Sequence, residues 1–111
     1  MRRLGAVSVL ALCCAAIVAP PASAHTLPKW VARDISDTLM KRICHDDPRP
    51  CRGWEILRCA RKSSHRVDCR AAHMFIEEGH DKTCRMWVTN QLSGNLIRTH
   101  VLRATVRCEP G

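Results

Sequence analysis

The chain lacks most of the signals that would name an activity. No serine sits in a nucleophile-elbow motif and no glycine-rich loop could cradle a phosphate, so neither a serine hydrolase nor a nucleotide-binding enzyme is indicated. Cysteines are present, but no Cys-x2-Cys pair is. The spacings of 7, 8, 10, 15 and 24 between Cys44, Cys51, Cys59, Cys69, Cys84 and Cys108 suit no common zinc module. The longest apolar stretch, Leu4 to Ala19, stops at Pro20-Pro21 after 16 residues, short of the roughly 20 that a membrane helix needs. There is no internal repeat, low-complexity segment or linker. No transmembrane span, cofactor, metal or catalytic residue is therefore expected.

What is present starts with a leader. Arg2 and Arg3 precede the apolar run, and Ala22-Ser23-Ala24 is a small-residue cleavage site before His25. Residues 1–24 read as a secretory signal peptide, and residues 25–111 as one domain secreted or delivered to the periplasm. Cys13 and Cys14 would leave with the leader. The other six cysteines would then reside in an oxidising compartment, where an even set reads as disulfides. A chain this short buries a modest core, so bridges worth about 2–4 kcal/mol each would matter to its stability.

Charge is the second feature. The chain carries +8 with histidine neutral. All ten acidic and sixteen of the eighteen basic residues follow the leader, leaving that part at about +6, and twelve of the sixteen are arginine. Arginine pairs with carboxylates and phosphates through a planar fork of donors.

The periodicity predicts an α+β fold, with one N-terminal helix packed on a four-stranded antiparallel meander. A helix opens at Thr26 or Leu27, with Pro28 in its first turn. Val31, Ile35, Leu39 and Ile43 recur every four residues, and Trp30 and Met40 widen that stripe. The segment Asp46-Asp47-Pro48-Arg49-Pro50 stops it. Strands are expected over 54–62, 66–76, 82–92 and 96–108, joined by turns near Ser63-Ser64, Gly79 and Gly94.

Alternation then divides the sheet. One face collects Leu57, Cys59, Val67, Cys69, Ala71, Phe75, Cys84, Met86, Val88, Leu102, Ala104, Val106 and Cys108 as the core. His73 and His100 fall on the same side, with Glu55 opposite His73. The other face collects Arg58, Lys62, Arg66, Arg70, Arg85, Arg103 and Arg107, with Trp54 and Trp87 among them. A one-residue slip at Gly79 would exchange the faces of the last two strands. Cys59 and Cys69 fall opposite each other, and Cys44 and Cys51 flank the proline-rich loop. Cys84 and Cys108 remain, needing a bulge or bend to meet. Six cysteines allow fifteen pairings, and the sequence does not choose among them.

The stretch from Cys59 to Cys69, with Gly94 to Cys108 beyond it, resembles small secreted bacterial cysteine-rich proteins of undefined activity. That resemblance spans roughly residues 28–108. It implies a leading helix followed by a cysteine-paired antiparallel meander, and it supplies no functional residues.

The basic face, Arg58, Lys62, Arg66, Arg70, Arg85, Arg103 and Arg107 with Trp87, is the first candidate site. It suggests a non-enzymatic module that engages an envelope polymer, an acidic glycan or extracellular nucleic acid. The alternative is a secreted inhibitor or effector that docks the Cys44–Cys51 loop into a protein partner, with Arg49 or Arg52 inserted. His45, Asp46 and Asp47 are too close in sequence to converge easily on one metal ion, and a buried His73–Glu55 pair would be a pH-sensitive contact.

Overall fold

The computed structural model describes residues 26–111, so the leader and its cleavage site at Ala24–His25 lie outside the described residues. Helix α1 spans Lys29–Asp46. Four strands follow: β1 (Cys51–Arg61), β2 (Arg66–Glu77), β3 (His80–Ser93) and β4 (Leu96–Pro110). They form one antiparallel sheet in the order β1-β2-β3-β4, with α1 on one face, chiefly over β1 and β2. The turns use the expected chemistry. Glu78 and Gly79 both take positive φ, 52° and 79°, as a type I′ hairpin turn requires.

The helix begins at Lys29, later than the periodicity predicts. Pro28 holds an extended conformation at its N-cap (φ −67°, ψ 143°). Leu27 belongs instead to the first hairpin. Its N–H donates to the Ser64 carbonyl at 2.8 Å, its own carbonyl accepts from Arg61 Nη2 at 2.6 Å, and its side chain is buried.

The buried line of α1 is also rotated from the expected stripe. Ala32, Ser36 and Met40 are fully buried, while Val31, Leu39 and Ile43 flank the core half-buried and Trp30 is 73% exposed. Two small residues let the helix approach the sheet closely, and the branched side chains straddle the contact. Ser36 Oγ accepts from Asn90 Nδ2 at 3.0 Å. The same amide donates to the Val67 carbonyl at 3.1 Å, and Asn90 Oδ1 accepts from Thr99 Oγ1 at 2.8 Å. Every atom named in this network has a partner, so its hydrogen bonds offset the cost of burying it while it locates the helix.

Three irregularities set which side chains face the helix, the first of them at Arg52, between the Cys51–Phe75 and Gly53–Met74 pairs. On β1, Ile56 pairs with Ala71 and Arg58 with Arg70, so Leu57 is the extra residue. Ile56 takes the core position expected of Leu57, which is 39% exposed. On β4, Arg107 pairs with Arg85 and Leu102 with Trp87, which sets residues 103–106 opposite the single residue Met86. Thr105 Oγ1 closes this bulge, accepting from the Trp87 N–H at 2.9 Å and donating to the Leu102 carbonyl at 2.6 Å. Three extra residues invert the alternation. Ile97 and Val101 therefore pack toward the core, whereas Leu102 and His100, both expected there, face away; Ala104 stands exposed in the bulge, and only Val106 and Cys108 keep the predicted side.

The β4 bulge also explains the Cys84–Cys108 disulfide. Counted from the Ser93–Leu96 pair, a regular ladder would miss Cys84–Cys108 by three residues, and the bulge supplies three. The bridges are Cys44–Cys51, Cys59–Cys69 and Cys84–Cys108, the last two directly across their ladders. Cys59–Cys69 closes a short hairpin loop of sequence separation 10. Replacing both with alanine should lower unfolding free energy by about 2–3 kcal/mol. Urea titration of the double variant measures this. A loss under about 0.5 kcal/mol would mean that the hairpin is closed by its ladder alone.

Candidate anion-binding face

The helix covers one face of the sheet and leaves the other to solvent. Ladder partners on that open face fall into rows. One row runs Arg58, Arg70, Trp87, Leu102 across all four strands. The guanidinium of Arg58 lies 5.0 Å from the Trp87 ring centroid, and the ammonium of Lys62, in the first turn, lies 6.0 Å from it. Among the described residues no carboxylate pairs with Arg58, Lys62 or Arg70. Like charges directly opposite in a ladder destabilise a sheet, so the Arg58–Arg70 pair carries a cost, against which the contact of Arg58 with Trp87 works.

The flanking rows are more committed. Glu55, Ala72, Arg85 and Arg107 form one, in which Arg85 Nη1 meets Glu109 Oε1 at 2.7 Å and Arg107 Nη1 turns back to the carbonyls of Ala104 and Val106. On the other side come Asp68, Thr89 and His100, then Arg66, Gln91 and Arg98. Arg66 grips Asp68 through Nε and Nη2, both at 2.9 Å. Burial works to raise the Asp68 carboxyl, but the hydrogen bonds from Arg66 and Thr89 outweigh it and hold it below the ordinary carboxylate value.

Of the residues predicted for this site, Arg58, Lys62, Arg70 and Trp87 come together. Arg66, Arg85 and Arg107 share the face but hold internal partners. Arg103 stands exposed in the β4 bulge, outside the ladder. Trp54 is on the helix side, where its Nε1 donates to Asp37 Oδ1 at 2.9 Å. Arg98 and His100 belong to the open face and were not predicted for it. Ile97-Arg98-Thr99-His100-Val101 alternates as an edge strand should, and that local pattern was the available signal.

The disulfide-framed loop is built differently. Arg49 folds inward. Its Nε and Nη2 bind the two oxygens of Asp47 at 2.9 and 3.1 Å, its Nη1 reaches Glu77 at 3.2 Å, and its guanidinium lies 3.8 Å from the Phe75 ring centroid. Arg52 is 59% exposed and pairs at 3.4 Å with Asp81. His73 is buried as expected, but its ladder neighbour is Trp54 rather than Glu55, and its acidic neighbour is Asp47, with Oδ2 at 3.4 Å from Nε2. Cys44, Cys51 and His73 also cluster, within 4.8 Å, but both sulfurs are joined in the bridge and offer no thiolate.

This cluster makes stability depend on pH. Burial holds the His73 imidazole below its ordinary value of 6.5, outweighing the Asp47 charge that raises it. The Arg49 hydrogen bonds hold the Asp47 carboxyl below 3.8, against the opposing effect of burial. A group whose folded value is lowered stabilises the fold fully above its unfolded value, and that contribution is lost as pH falls through the folded one. Stability should therefore decline below about pH 6.5 through His73, and again below about pH 4 through Asp47. Urea midpoints measured from about pH 7 to pH 5 should fall, and His73→Gln should flatten that slope. A wild-type midpoint that rises on acidification would contradict this origin.

No protein-family model, no curated protein and no solved structure matches this chain. No helix among the described residues is long and apolar enough to cross a membrane.

Proposed function

We propose that residues 25–111 form a non-enzymatic secreted or periplasmic module that binds anionic polymers or surfaces through the helix-free face of its sheet. The observation that carries this reading is the Arg58–Arg70 ladder pair, with Arg58 and Lys62 over the Trp87 ring and no carboxylate partner on any of the three cations among the described residues. A sheet face selected only for solubility gains nothing from two guanidiniums directly opposed across a ladder. A polyanion lying across the strands would relieve that repulsion, and Trp87 offers a surface for a sugar or base. The leader, the three disulfides and the likeness to small secreted bacterial proteins support the location.

The alternative, an inhibitory loop, has less in its support, because Arg49 is already held by Asp47, Glu77 and Phe75. Retention on a sulfated-polysaccharide resin tests the proposal. The protein should bind at low salt and elute as salt rises. Passage through the resin at low ionic strength would remove the basis for the reading.

A further inference from the structure

We infer that the open face also carries a small-ligand subsite for a phosphate monoester, formed by Arg66, Gln91, Arg98 and His100 where β2, β3 and β4 meet beside the first turn. It deepens the anion-binding reading and rests on it for biological sense, but it uses different residues. The site lines an open groove of about 600 Å³ that also includes Thr89 and Leu102. Arg66, Gln91 and Arg98 are consecutive ladder partners, so the two arginines start about 10 Å apart, two strand spacings. Side chains of that length can close on a single oxyanion above Gln91.

Arg66 is held in a way that mere charge would not require. Asp68 is 3% exposed, and both its oxygens are occupied. Oδ1 accepts from Arg66 Nε at 2.9 Å and from Thr89 Oγ1 at 2.7 Å, and Oδ2 accepts from Arg66 Nη2 at 2.9 Å. The buried carboxylate thus fixes one edge of the guanidinium, while Nη1 has no partner among the described residues. A donor locked by a buried partner costs little entropy when it binds a ligand. Arg98 is exposed and pairs with no carboxylate among the described residues. Because Asp68 cancels the charge of Arg66, the site depends on placed donors from three strands more than on net charge. A dianion with three acceptor oxygens suits that arrangement better than a carboxylate does. Asp68 and Thr89 are positioning residues, since neither needs to touch the ligand.

The experiment is an NMR titration of the oxidised protein at constant ionic strength with methyl phosphate, and separately with dimethyl phosphate. Methyl phosphate should move the Gln91, Arg98 and His100 amides saturably, and dimethyl phosphate should bind at least about tenfold more weakly. Arg98→Gln should weaken methyl phosphate binding about tenfold or more. Asp68→Asn makes the face more positive, yet it should also weaken binding, because Arg66 loses its orientation. If that variant fails to fold, Arg66→Lys keeps the charge and loses the fork, and it too should weaken binding. Non-saturable shifts, tighter binding by Asp68→Asn, or unchanged binding by Arg66→Lys would each overturn the subsite. Retention on a sulfated resin through Arg58 and Arg70 could survive any of these results, so the two readings fail separately.

Discussion

Arg58→Glu combined with Arg70→Glu should abolish retention on a sulfated-polysaccharide resin at low salt. The two residues face each other across the β1–β2 ladder, and neither has a carboxylate partner among the described residues. Reversal replaces two unpaired positive charges on the open face with negative ones. Each cation that contacts the polymer adds close to one unit to the slope of log affinity against log salt. The double variant should therefore show a slope shallower by about two units, besides the loss of affinity. Lys41→Glu with Arg42→Glu is the control. Both residues are exposed on α1, on the covered side of the sheet, and the net charge changes by the same amount. Equal losses in the two variants would mean that net charge alone drives retention and that the sheet face has no special role.

Phe75→Ala should produce the largest loss of stability. Phe75 is 2% exposed and is the largest fully buried side chain. It packs beside His73, with ring centroids 5.0 Å apart, and under the Arg49 guanidinium. Truncating a buried phenylalanine costs about 3–5 kcal/mol, from lost transfer free energy and the cavity left behind. Against a typical total of about 5–15 kcal/mol, that is a large share. The variant also removes the surface on which Arg49 lies, so the 44–51 loop should exchange its amide hydrogens faster than in the wild type. Phe75→Leu should recover most of the stability, leaving a deficit of about 1.5 kcal/mol or less. Urea unfolding of both variants measures these values. A Phe75→Ala loss below about 1 kcal/mol would show that the ring does not anchor the core.

Much of the architecture is legible because it rests on local signals. The change of period after Gly53, the turn chemistry at Gly79 and Gly94, and the opposition of Cys59 and Cys69 all follow from residues close in sequence. The bulges are less legible. Ile56 and Leu57 are both aliphatic, so alternation alone does not say which one is extra. At residues 103–106 no glycine or proline marks the insertion. Its trace is the misfit of Cys84 and Cys108, which calls for a bulge without locating it. That one unplaced irregularity moved Leu102 and His100 to the wrong face and hid Arg98. Contacts that join distant segments, Asp47 with His73 and Trp54 with Asp37, leave no periodic trace.

The candidate site followed the same division. Arg58, Arg70 and Trp87 lie on the part of the sheet governed by the first two hairpins, and they come together as alternation predicts. The internal pairing of Arg66 with Asp68 has a visible i, i+2 spacing in sequence. Its consequence, that Arg66 is oriented rather than free, needs the buried position of Asp68 and the Thr89 hydroxyl across the ladder.

Amide chemical-shift mapping locates the binding surface residue by residue and so tests whether it is the helix-free face. The oxidised, isotope-labelled protein would be titrated with a short sulfated oligosaccharide at low salt. The perturbed amides should cluster at Arg58, Lys62, Arg70 and Trp87, and the shifts should reverse on adding salt. Shifts confined to the Cys44–Cys51 loop or to α1, or none on the open face, would contradict it.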